Sequence, residues 1–361
     1  MRLGIIGGGQ LGAMLAEAAH PLGVATRILD PEPAVCTARA AEVVYAEHDD
    51  PKALSGLTDW AQALTYEFEN VPLEAVQGRP GVWPPPEALR IAQDRLHEKD
   101  FFTEHGVDTA PFAQVSRVQD VQEALAKVGT PALLKTRRLG YDGKGQALVH
   151  TAEEGRQAFE ELGGVPCILE GLVDFRRELS VIAVRSADGD VRVYPVAENH
   201  HEGGILRWSI TPAPDLKDRQ AEAESIVVRL LEALEYVGVL TVELFDVDGP
   251  LLANEMAPRV HNSGHQTIEG AVTSQFENHV RAVLGLPLGS VEVLQPVGMI
   301  NLIGREPPLE ALLAIDGVSV HRYVKEPRPG RKLGHVTVQG ADRVTVEHRL
   351  EQVQALVREH S

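Results

Sequence analysis

The chain has 361 residues, and its 52 Asp and Glu residues outnumber its 34 Lys and Arg residues, giving a formal net charge of −18. This length favours two or three domains, and the composition is that of an ordinary globular protein. So acidic a chain is not expected to bind nucleic acid or an anionic membrane surface through its overall charge. Any anionic ligand must be bound by local positive charge.

Only two cysteines occur, Cys36 and Cys167, and neither belongs to a C-x-x-C motif. This spacing predicts free thiols in a reducing compartment. The N-terminal residues do not resemble a signal peptide, and no apolar run approaches the roughly 18 residues of a membrane span. We therefore expect a cytoplasmic protein.

The first 90 residues alternate between strand and helix patterns. Buried-strand patterns cover residues 2–6, 24–29, 43–45 and 63–66, and a helix is expected over residues 10–22. This alternation predicts a parallel, doubly wound α/β sheet. The run from Trp83 to Pro86 contains three consecutive prolines, so it predicts a domain boundary.

A glycine turn joins the first strand to the first helix. Residues 7–12 read G-G-G-Q-L-G, and Asp30 ends the next strand. This pattern is typical of a dinucleotide site, but a helix N-terminus also accepts other phosphates, and a tight turn alone would give the same residues. The motif leaves these three possibilities open.

Two carboxylates, Glu67 and Glu69, follow the strand at 63–66. Open α/β sheets place ligands at this carboxyl edge of the strands. Glu67 and Glu69 could accept hydrogen bonds from sugar hydroxyls or an amine, or they could form a solvated acidic turn.

The remainder of the chain mixes helices with antiparallel strand patterns. Helices are expected within 87–105 and over 152–162, 216–236 and 344–359. Strands are expected over 131–134, 146–149, 166–173, 178–184, 191–196, 297–303, 317–323 and 335–340, with hairpin turns at 188–189 and 248–250.

The loop over residues 135–146 holds three glycines and four cations. Glycine allows successive N–H groups to point inward, and the cations neutralise a polyanion. In so acidic a protein, this loop predicts a polyphosphate site.

Glu243 and Glu255 are predicted to lie opposite each other. If residues 248–250 turn an antiparallel hairpin, Val247 pairs with Leu251 and the two glutamates meet. Opposed like charges are destabilising, and a bound Mg²⁺ removes that penalty, with Asn254 and Asn262 as further oxygen donors. The alternative is a solvent-exposed pair at the end of the sheet.

Further charged groups follow this hairpin. Arg259 is placed to stabilise negative charge beside the metal, and His261 is either a general base or a hydrogen-bond donor. A basic cluster from Lys325 to Lys332 is either a solvated loop or a group that closes over a phosphorylated substrate.

Seven segments together carry a family resemblance. They read G-G-G-Q-L-G at 7–12, T-Y-E-F-E-N at 65–70, Q-D-R-x-x-x-K at 93–99, L-K-T-R-R-L-G-Y-D-G-K-G-Q at 134–146, E-N-H-H-E-G-G-I-L at 198–206, N-E-M-A-P-R-V-H-N-S-G-H at 254–265 and R-P-G-R-K-L-G-H at 328–335. In this order they resemble the ATP-grasp ligases, and most closely the family of N5-carboxyaminoimidazole ribonucleotide synthetases. The resemblance covers essentially the whole chain.

The resemblance implies an ATP-grasp fold of mixed α/β class. It implies a Rossmann-like pre-ATP-grasp domain over 1–92, an ATP-grasp domain over 93–286 with a lid at about 110–172, and a small β-rich domain over 287–361. Relatives are commonly dimers, which implies a homodimer. In this family the N-terminal glycine turn belongs to the substrate side.

The resemblance also implies the roles of individual residues. The ATP-binding residues are Arg95, Lys135, Gly140, Tyr141, Asp142, Gly143, Lys144, Gly145, Gln146, Glu170, Gly171, Leu172, Val173, Glu178, His201, Asn254 and Glu255. The ribonucleotide-binding residues are Gly9, Gln10, Leu11, Glu67, Glu69, Tyr141, Lys144, Arg259, His261, Asn262, Lys325, Arg331 and Lys332. The catalytic residues are Arg259, Lys135, Asp142 and His261, and Mg²⁺ is held by Glu243 and Glu255. Lys144 departs from the arginine of many relatives, so a bidentate contact is lost there.

The implied activity is the carboxylation of 5-aminoimidazole ribonucleotide by ATP and bicarbonate through carboxyphosphate. Either carboxyphosphate itself or CO₂ released from it inside a closed site carboxylates the exocyclic amine. Three alternatives remain at this point: a related ATP-grasp ligase for formate or another carboxylate, an NAD-dependent oxidoreductase, and a non-catalytic nucleotide sensor. The oxidoreductase explains only the first 30 residues.

Overall fold

The computed structural model describes residues 1–32, 36–37, 40–140, 144–217 and 219–360. Within these ranges the strands form three sheets. Both cysteines are free thiols, as predicted. No helix in the described part of the chain is long and apolar enough to span a bilayer.

The N-terminal sheet is parallel, as the strand–helix alternation predicts. Its strands, in the order β3-β2-β1-β4, are β1 (Arg2–Ile6), β2 (Ala25–Asp30), β3 (Glu42–Tyr45) and β4 (Ala63–Tyr66). All of β4 is buried, which explains its continuous apolar pattern. The carboxyl ends of β1 and β4 place the glycine turn and the Glu67–Glu69 segment side by side.

The second sheet is antiparallel and is called the lid sheet here. Its strands, in the order β5-β8-β6-β7, are β5 (Phe112–Val115), β6 (Ala132–Thr136), β7 (Gln146–Val149) and β8 (Cys167–Gly171). Two helices pack on it and bury Val115, Leu134 and Val149. β6 and β7 are the two strands that flank the glycine-rich loop.

The central sheet runs in the order β14-β13-β9-β11-β12-β15-β17-β16, and β10 pairs with β9. Its strands are β9 (Arg177–Arg185), β10 (Val191–Val193), β11 (Ala197–Glu202), β12 (Ile205–Thr211), β13 (Gly238–Asp246), β14 (Leu252–Ala257), β15 (Val297–Ile303), β16 (Val318–Arg322) and β17 (Lys332–Gln339). The three C-terminal strands continue this sheet through the β12–β15 pair. The basic cluster thereby forms the loop between β16 and β17 of the sheet that also carries the two glutamates.

The helices cover the faces of these sheets. They are α1 (Gln10–Ala19), α2 (Pro51–Trp60), α3 (Leu73–Val76), α4 (Pro86–Ala92), α5 (Arg95–Glu104), α6 (Val121–Val128), α7 (Ala152–Glu161), α8 (Arg219–Ala233), α9 (Thr267–Gly270), α10 (Gln275–Val283), α11 (Leu309–Leu313) and α12 (Arg343–His360). The sequence predicted α8 and β10 too long, and no pattern in it predicted β5, β11, β12, α3, α6, α9, α10 or α11.

The central sheet has a different cover on each face. On one face Leu179, Val181 and Leu240 pack against α8. On the other, Ile182 and Val239 pack with residues of α10 and α1. Side chains alternate along a strand, so Glu243 lies on the same face as Val239. The site is therefore on the face that α10 and the N-terminal segment only partly cover.

Candidate active site

A cleft of about 430 Å³ is lined by residues of the lid sheet and the central sheet, by the start of α1, by the segment that follows β4 and by the segment that follows β14. The predicted site residues that line it are Gln10, Leu11, Glu69, Arg95, Lys135, Gly140, Gln146, Glu178, His201, Glu243, Asn254, Glu255, Arg259, His261, Asn262 and Lys332. Residues predicted to bind ATP and residues predicted to bind the second substrate thus share one cleft. Tyr141, Asp142 and Gly143 lie outside the described residues.

Glu243 on β13 lies directly opposite Glu255 on β14, as predicted. The predicted pairing of Val247 with Leu251 is wrong, because β13 ends at Asp246 and β14 begins at Leu252. A β-bulge follows Glu243 and shifts the register by one residue. The bulge leaves Asn254 without an opposite residue on β13, next to Glu255 and on the rim of the cleft.

The two opposed glutamates differ in charge state. The Arg95 Nη1 atom lies 3.2 Å from Oε2 of Glu255. Although burial acts in the opposite direction, the charges of Arg95 and Lys135 lower the pKa of Glu255. Burial and the charge of Glu255 raise the pKa of Glu243 to about 7. The pair therefore holds fewer than two full negative charges near neutral pH in the absence of a cation.

The donor set around this pair suits a divalent cation. Glu243 and Glu255 supply carboxylate oxygens, and the buried side-chain amide of Asn262 has neither its oxygen nor its nitrogen hydrogen-bonded. Among the described residues, no group of three or more His, Cys, Asp and Glu side chains is arranged to hold a metal ion. Two carboxylates and an amide fit Mg²⁺ only when phosphate oxygens or water complete the shell.

Lys135 projects from the lid sheet into the cleft, and its Nζ atom lies 3.0 Å from Oε2 of Glu170. The Glu170 side chain is buried behind the cleft, where Lys99 approaches the same oxygen at 3.6 Å. Although burial would raise it, the charges of Lys99 and Lys135 lower the pKa of Glu170 to about 2. Glu170 thus carries a permanent negative charge under the predicted nucleotide site.

The described ends of the glycine-rich loop are fixed by hydrogen bonds. The Thr136 N–H donates to the carbonyl oxygen of Gly145 at 2.8 Å, and Arg95 Nη2 donates to that of Gly140 at 3.2 Å. Gly145 has a φ of +71°, and a Cβ there would lie 2.7 Å from Thr136 Oγ1, so only glycine fits. Lys144 is exposed.

Glu178 and His201 form a second pair on the cleft wall, with 2.8 Å between Oε2 and Nδ1. Burial favours the neutral imidazole, but the hydrogen bond to Glu178 and the charge of Glu243 raise the pKa of His201. Gly171 ends β8, and Leu172 and Val173 continue the chain towards this pair. The Leu172 side chain is half-exposed.

Carboxylate side chains of the protein itself accept hydrogen bonds from the N–H groups of the N-terminal glycine turn. Gly8 N–H donates to Asp30 Oδ2 at 2.6 Å, and Gly12 N–H donates to Glu67 Oε2 at 2.6 Å. Gly9 N–H donates to the other oxygen of Glu67. Burial raises the pKa of Glu67, while these two N–H groups oppose that shift. A pyrophosphate would have to displace both carboxylates, so the nicotinamide alternative is not favoured.

Arg259 and Glu69 form an ion pair inside the cleft. Arg259 also donates to the carbonyl oxygen of Val260 at 2.9 Å, which fixes its guanidinium. Although burial opposes the charged form, Glu69 raises the pKa of Arg259. Glu67 faces the glycine turn, whereas Glu69 faces the cleft, so the two carboxylates have different surroundings.

His261 is held as a neutral imidazole with a defined tautomer. Its Nδ1 atom accepts from the Ser263 N–H at 3.3 Å and lies 2.9 Å from the Ser263 hydroxyl, which itself accepts from Ser180. The proton is therefore on Nε2, 3.4 Å from Oε1 of Glu243. Burial and the charge of Arg259 lower the pKa of His261 well below its usual value.

Only some residues of the C-terminal basic cluster line the cleft. Lys332 lines the cleft, and Lys325 donates a hydrogen bond to the side chain of Gln10 on α1. Arg331 donates to the carbonyl oxygen of Glu326 at 3.1 Å and is not among the residues that line the cleft. The Lys325–Gln10 contact joins the C-terminal segment to the N-terminal glycine turn.

The sequence reasoning missed several charged residues at this site. Arg137 and His265 line the cleft together with Glu98, and Asp94 pairs with Arg137 at 2.7 Å. Burial and the charge of Glu255 raise the pKa of Glu98 to about 8. Lys99 lies four residues after Arg95 in the Q-D-R-x-x-x-K segment. This spacing is one helical turn, so it could have indicated that Lys99 lies on the same face of α5 as Arg95.

Models of known protein families match most of the chain. They cover residues 100–276 (ATP-grasp domain), 1–93 (ribonucleotide synthetase preATP-grasp domain) and 298–349 (phosphoribosylaminoimidazole carboxylase C-terminal domain). The N5-carboxyaminoimidazole ribonucleotide synthase of Pseudomonas aeruginosa is 50% identical over 99% of both chains.

Solved structures agree with these matches. N5-carboxyaminoimidazole ribonucleotide synthetase from Thermus thermophilus superposes with a TM-score of 0.94 at 51% identity, covering 98% of each chain. The Aspergillus clavatus enzyme in complex with ADP and 5-aminoimidazole ribonucleotide gives a TM-score of 0.92 at 30% identity, covering 99% of this chain and 98% of that one. The chain therefore belongs to the N5-carboxyaminoimidazole ribonucleotide synthase family of ATP-grasp enzymes.

Proposed function

We propose that this protein uses ATP and bicarbonate to carboxylate the exocyclic amine of 5-aminoimidazole ribonucleotide, in the synthesis of purine nucleotides. The products are N5-carboxyaminoimidazole ribonucleotide, ADP and phosphate. Family membership supports this assignment. The structural observation that carries it is the opposed Glu243–Glu255 pair in one cleft with Arg95, Lys135 and Arg259.

The nucleotide side of the cleft is assigned to the lid sheet and the β13–β14 hairpin. Lys135 and Arg95 would neutralise the phosphates, and the loop from Gly140 to Gln146 would cover them. Glu178 and His201 would bind the ribose and the edge of the nucleotide. The backbone from Glu170 to Val173 would contact adenine.

Mg²⁺ would be held by Glu243 and Glu255, with Asn254 and Asn262 as neighbouring oxygen donors. When bound, it would supply positive charge to the phosphate oxygens. The residues fit this role because the cation would relieve the repulsion between the opposed carboxylates.

The chemistry proceeds in two transfers. A bicarbonate oxygen attacks the γ-phosphorus of ATP, and the bond to ADP breaks to give carboxyphosphate. The exocyclic amine then attacks the carboxyl carbon, phosphate leaves and the amine loses a proton. Arg259 would stabilise the developing negative charge, and the Nε2–H of His261 would donate a hydrogen bond rather than take a proton. Carboxyphosphate reacts with water, so covering by the loop protects it.

The second substrate is assigned to the opposite side of the cleft. Gln10, Leu11, Glu69 and Lys332 line the cleft and would contact this substrate. Gly9, Glu67 and Arg331 lie within two residues of these positions in the chain, and Lys325 donates a hydrogen bond to Gln10. We retain as proposals the domain limits 1–92, 93–286 and 287–361, a cytoplasmic location and a homodimer.

The test is phosphate release measured with ATP, MgCl₂, bicarbonate and 5-aminoimidazole ribonucleotide, with each component omitted in turn. We expect release and formation of the carboxyamino product only in the complete mixture, and no product when formate replaces bicarbonate. Release that does not depend on the ribonucleotide, or product formed without ATP, would contradict the assignment.

A further inference from the structure

Lys99 is a buried lysine that the proposed mechanism does not use. Burial lowers its pKa, and the negative charge of Glu170 acts in the opposite direction. Its side chain is 2% exposed and points from α5 towards the bulge in β14. The Nζ atom donates to the carbonyl oxygens of Asn254 at 2.7 Å and Ala253 at 3.2 Å. Burying an ammonium group is costly unless it is paired and hydrogen-bonded, so its position requires compensating partners.

The charged partner of Lys99 is Glu170, which it shares with Lys135. Oε2 of Glu170 lies 3.6 Å from Lys99 Nζ and 3.0 Å from Lys135 Nζ. Lys99 belongs to α5, whereas Glu170 and Lys135 belong to neighbouring strands of the lid sheet. One buried carboxylate therefore stands between two lysines, of which Lys135 lines the cleft and Lys99 does not.

We propose that Lys99 is a positioning residue for nucleotide binding: it supplies the counter-charge of Glu170, so that the charge of Lys135 remains available to the phosphates. The inference rests on the proposed function, because it takes ATP as the ligand of Lys135. Without Lys99, Glu170 would retain Lys135 as its near counter-ion, and the attraction of Lys135 for a phosphate would be partly cancelled.

The neighbouring charges support this division. Arg95 also helps to lower the pKa of Glu170, but after Lys99 and Lys135, and its guanidinium is paired with Glu255 at 3.2 Å. The same Lys99 ammonium holds the carbonyl of Asn254, the residue before Glu255. Lys99 thus connects the lid sheet to the bulged strand that carries the predicted metal ligand.

The test uses the full-length protein and the dissociation constant of Mg²⁺–ADP, measured by calorimetry, together with KM for ATP and kcat. In Lys99→Met we expect ADP binding to weaken about tenfold, as for loss of one charge-assisted contact. The double variant Lys99→Met/Glu170→Gln should recover most of that loss, because it removes the unpaired carboxylate as well. Lys127→Met removes an exposed lysine of the lid and serves as the charge control.

The rescue separates this role from a purely structural one, because the double variant cannot restore the bonds from Lys99 to Asn254 and Ala253. Equal ADP binding by Lys99→Met and wild type, or no recovery in the double variant, overturns the inference. If Lys99→Met does not fold, Lys99→Gln decides, because it keeps an N–H donor for the carbonyl groups of Asn254 and Ala253 without the charge. We expect about tenfold weaker ADP binding in Lys99→Gln, and binding as tight as wild type overturns the inference. Failure of the wild-type protein to bind ADP would instead contradict the proposed function.

Discussion

Glu243 and Glu255 face each other across two strands, but they have different partners. Glu255 pairs with Arg95, whereas Glu243 faces the neutral imidazole of His261. The pKa of Glu243 is raised to about 7 by burial and by Glu255, while that of Glu255 is lowered despite burial by Arg95 and Lys135. The repulsion within the pair thus mainly destabilises the charged form of Glu243. A bound cation would therefore stabilise the carboxylate of Glu243 more than that of Glu255.

The first prediction concerns Glu243→Gln. The variant keeps the shape of the side chain but removes the repulsion, so without Mg²⁺ its melting temperature should rise by about 1–2 °C. Loss of a metal-binding carboxylate should lower turnover about 100-fold or more. Thermal unfolding with and without MgCl₂ and ADP, together with the phosphate-release assay, measures both effects.

Glu123→Gln on α6 provides the control, because it removes an exposed carboxylate that does not line the cleft. It should behave as wild type in both assays. If Glu243→Gln gains as much stability from Mg²⁺ and ADP as wild type does, Glu243 is not a metal ligand.

The second prediction concerns Gly9→Ala. The φ of Gly9 is −74°, which any residue adopts, so the substitution introduces no backbone strain. An added Cβ would lie 2.5 Å from Oε1 of Glu67, which must move and release the N–H groups of the turn. We expect the free energy of unfolding to fall by about 1–3 kcal/mol relative to wild type. The KM for the ribonucleotide should increase by a larger factor than the KM for ATP.

Gly56→Ala is the matched control for this substitution. Gly56 lies within α2, and a Cβ there meets no atom within 4 Å. The variant should gain up to about 1 kcal/mol of stability, because alanine is the better helix former, and its KM values should not change. An unchanged KM for the ribonucleotide in Gly9→Ala would show that Glu67 does not contribute to substrate binding.

Local patterns were enough to predict the N-terminal sheet and the opposed glutamates. The strand–helix alternation gives a parallel sheet, and the turn at 248–250 gives an antiparallel hairpin. The exact register of that hairpin was not predictable. The loop between β13 and β14 is longer than the turn at 248–250, and the bulge after Glu243 shifts the register by one residue, so that Glu243 still lies opposite Glu255. The predicted pair was correct even though the predicted Val247–Leu251 pairing was not.

The buried charges could not be predicted in the same way. In the sequence Glu98 and Lys99 are two polar residues of a helix, which normally indicate a solvated face. They are buried because α5 packs beside β14 and because the lid sheet brings Glu170 to Lys99. Such contacts join segments over 70 residues apart, and no local pattern reports them. The same holds for the C-terminal strands, which extend the central sheet.

The third prediction separates two roles for His261. Its Nδ1 atom accepts from Ser263, so its Nε2–H is available only as a donor towards Glu243. His261→Gln keeps an N–H donor and should retain about tenfold more activity than His261→Ala. Because burial and Arg259 hold the pKa of His261 far below its usual value, wild type and His261→Gln should have pH–kcat profiles of the same shape between about pH 6 and pH 9. If kcat of wild type falls at low pH and this fall is absent in His261→Gln, His261 acts as a general base instead.

The last prediction concerns the junction between the N-terminal sheet and the central sheet, where His279 is fully buried. Its Nδ1 atom accepts from the Val239 N–H at 3.1 Å, and its Nε2 atom lies 2.8 Å from the hydroxyl of Thr65 on β4. Burial lowers the pKa of His279 to about 3, whereas in the unfolded chain it is about 6.5.

A histidine whose pKa is lowered by folding stabilises the folded state above the unfolded pKa, and this contribution is lost as the pH falls from about 6.5 towards 3. Between pH 7 and pH 5, His279 alone should account for a loss of about 2 kcal/mol in the free energy of unfolding. His279→Asn should be less stable than wild type at pH 7, because the bond to Thr65 is lost. Its stability should nevertheless decline by about 2 kcal/mol less over the same interval.

Urea unfolding at pH 7 and pH 5 measures the difference, and the other buried histidines are common to both proteins. His348→Asn removes an exposed histidine from α12 and is the control for the change in composition. If the stability of His279→Asn declines as steeply as that of wild type, His279 does not resist protonation in the folded state. The junction would then owe its stability to the apolar packing around His279 rather than to its neutral imidazole.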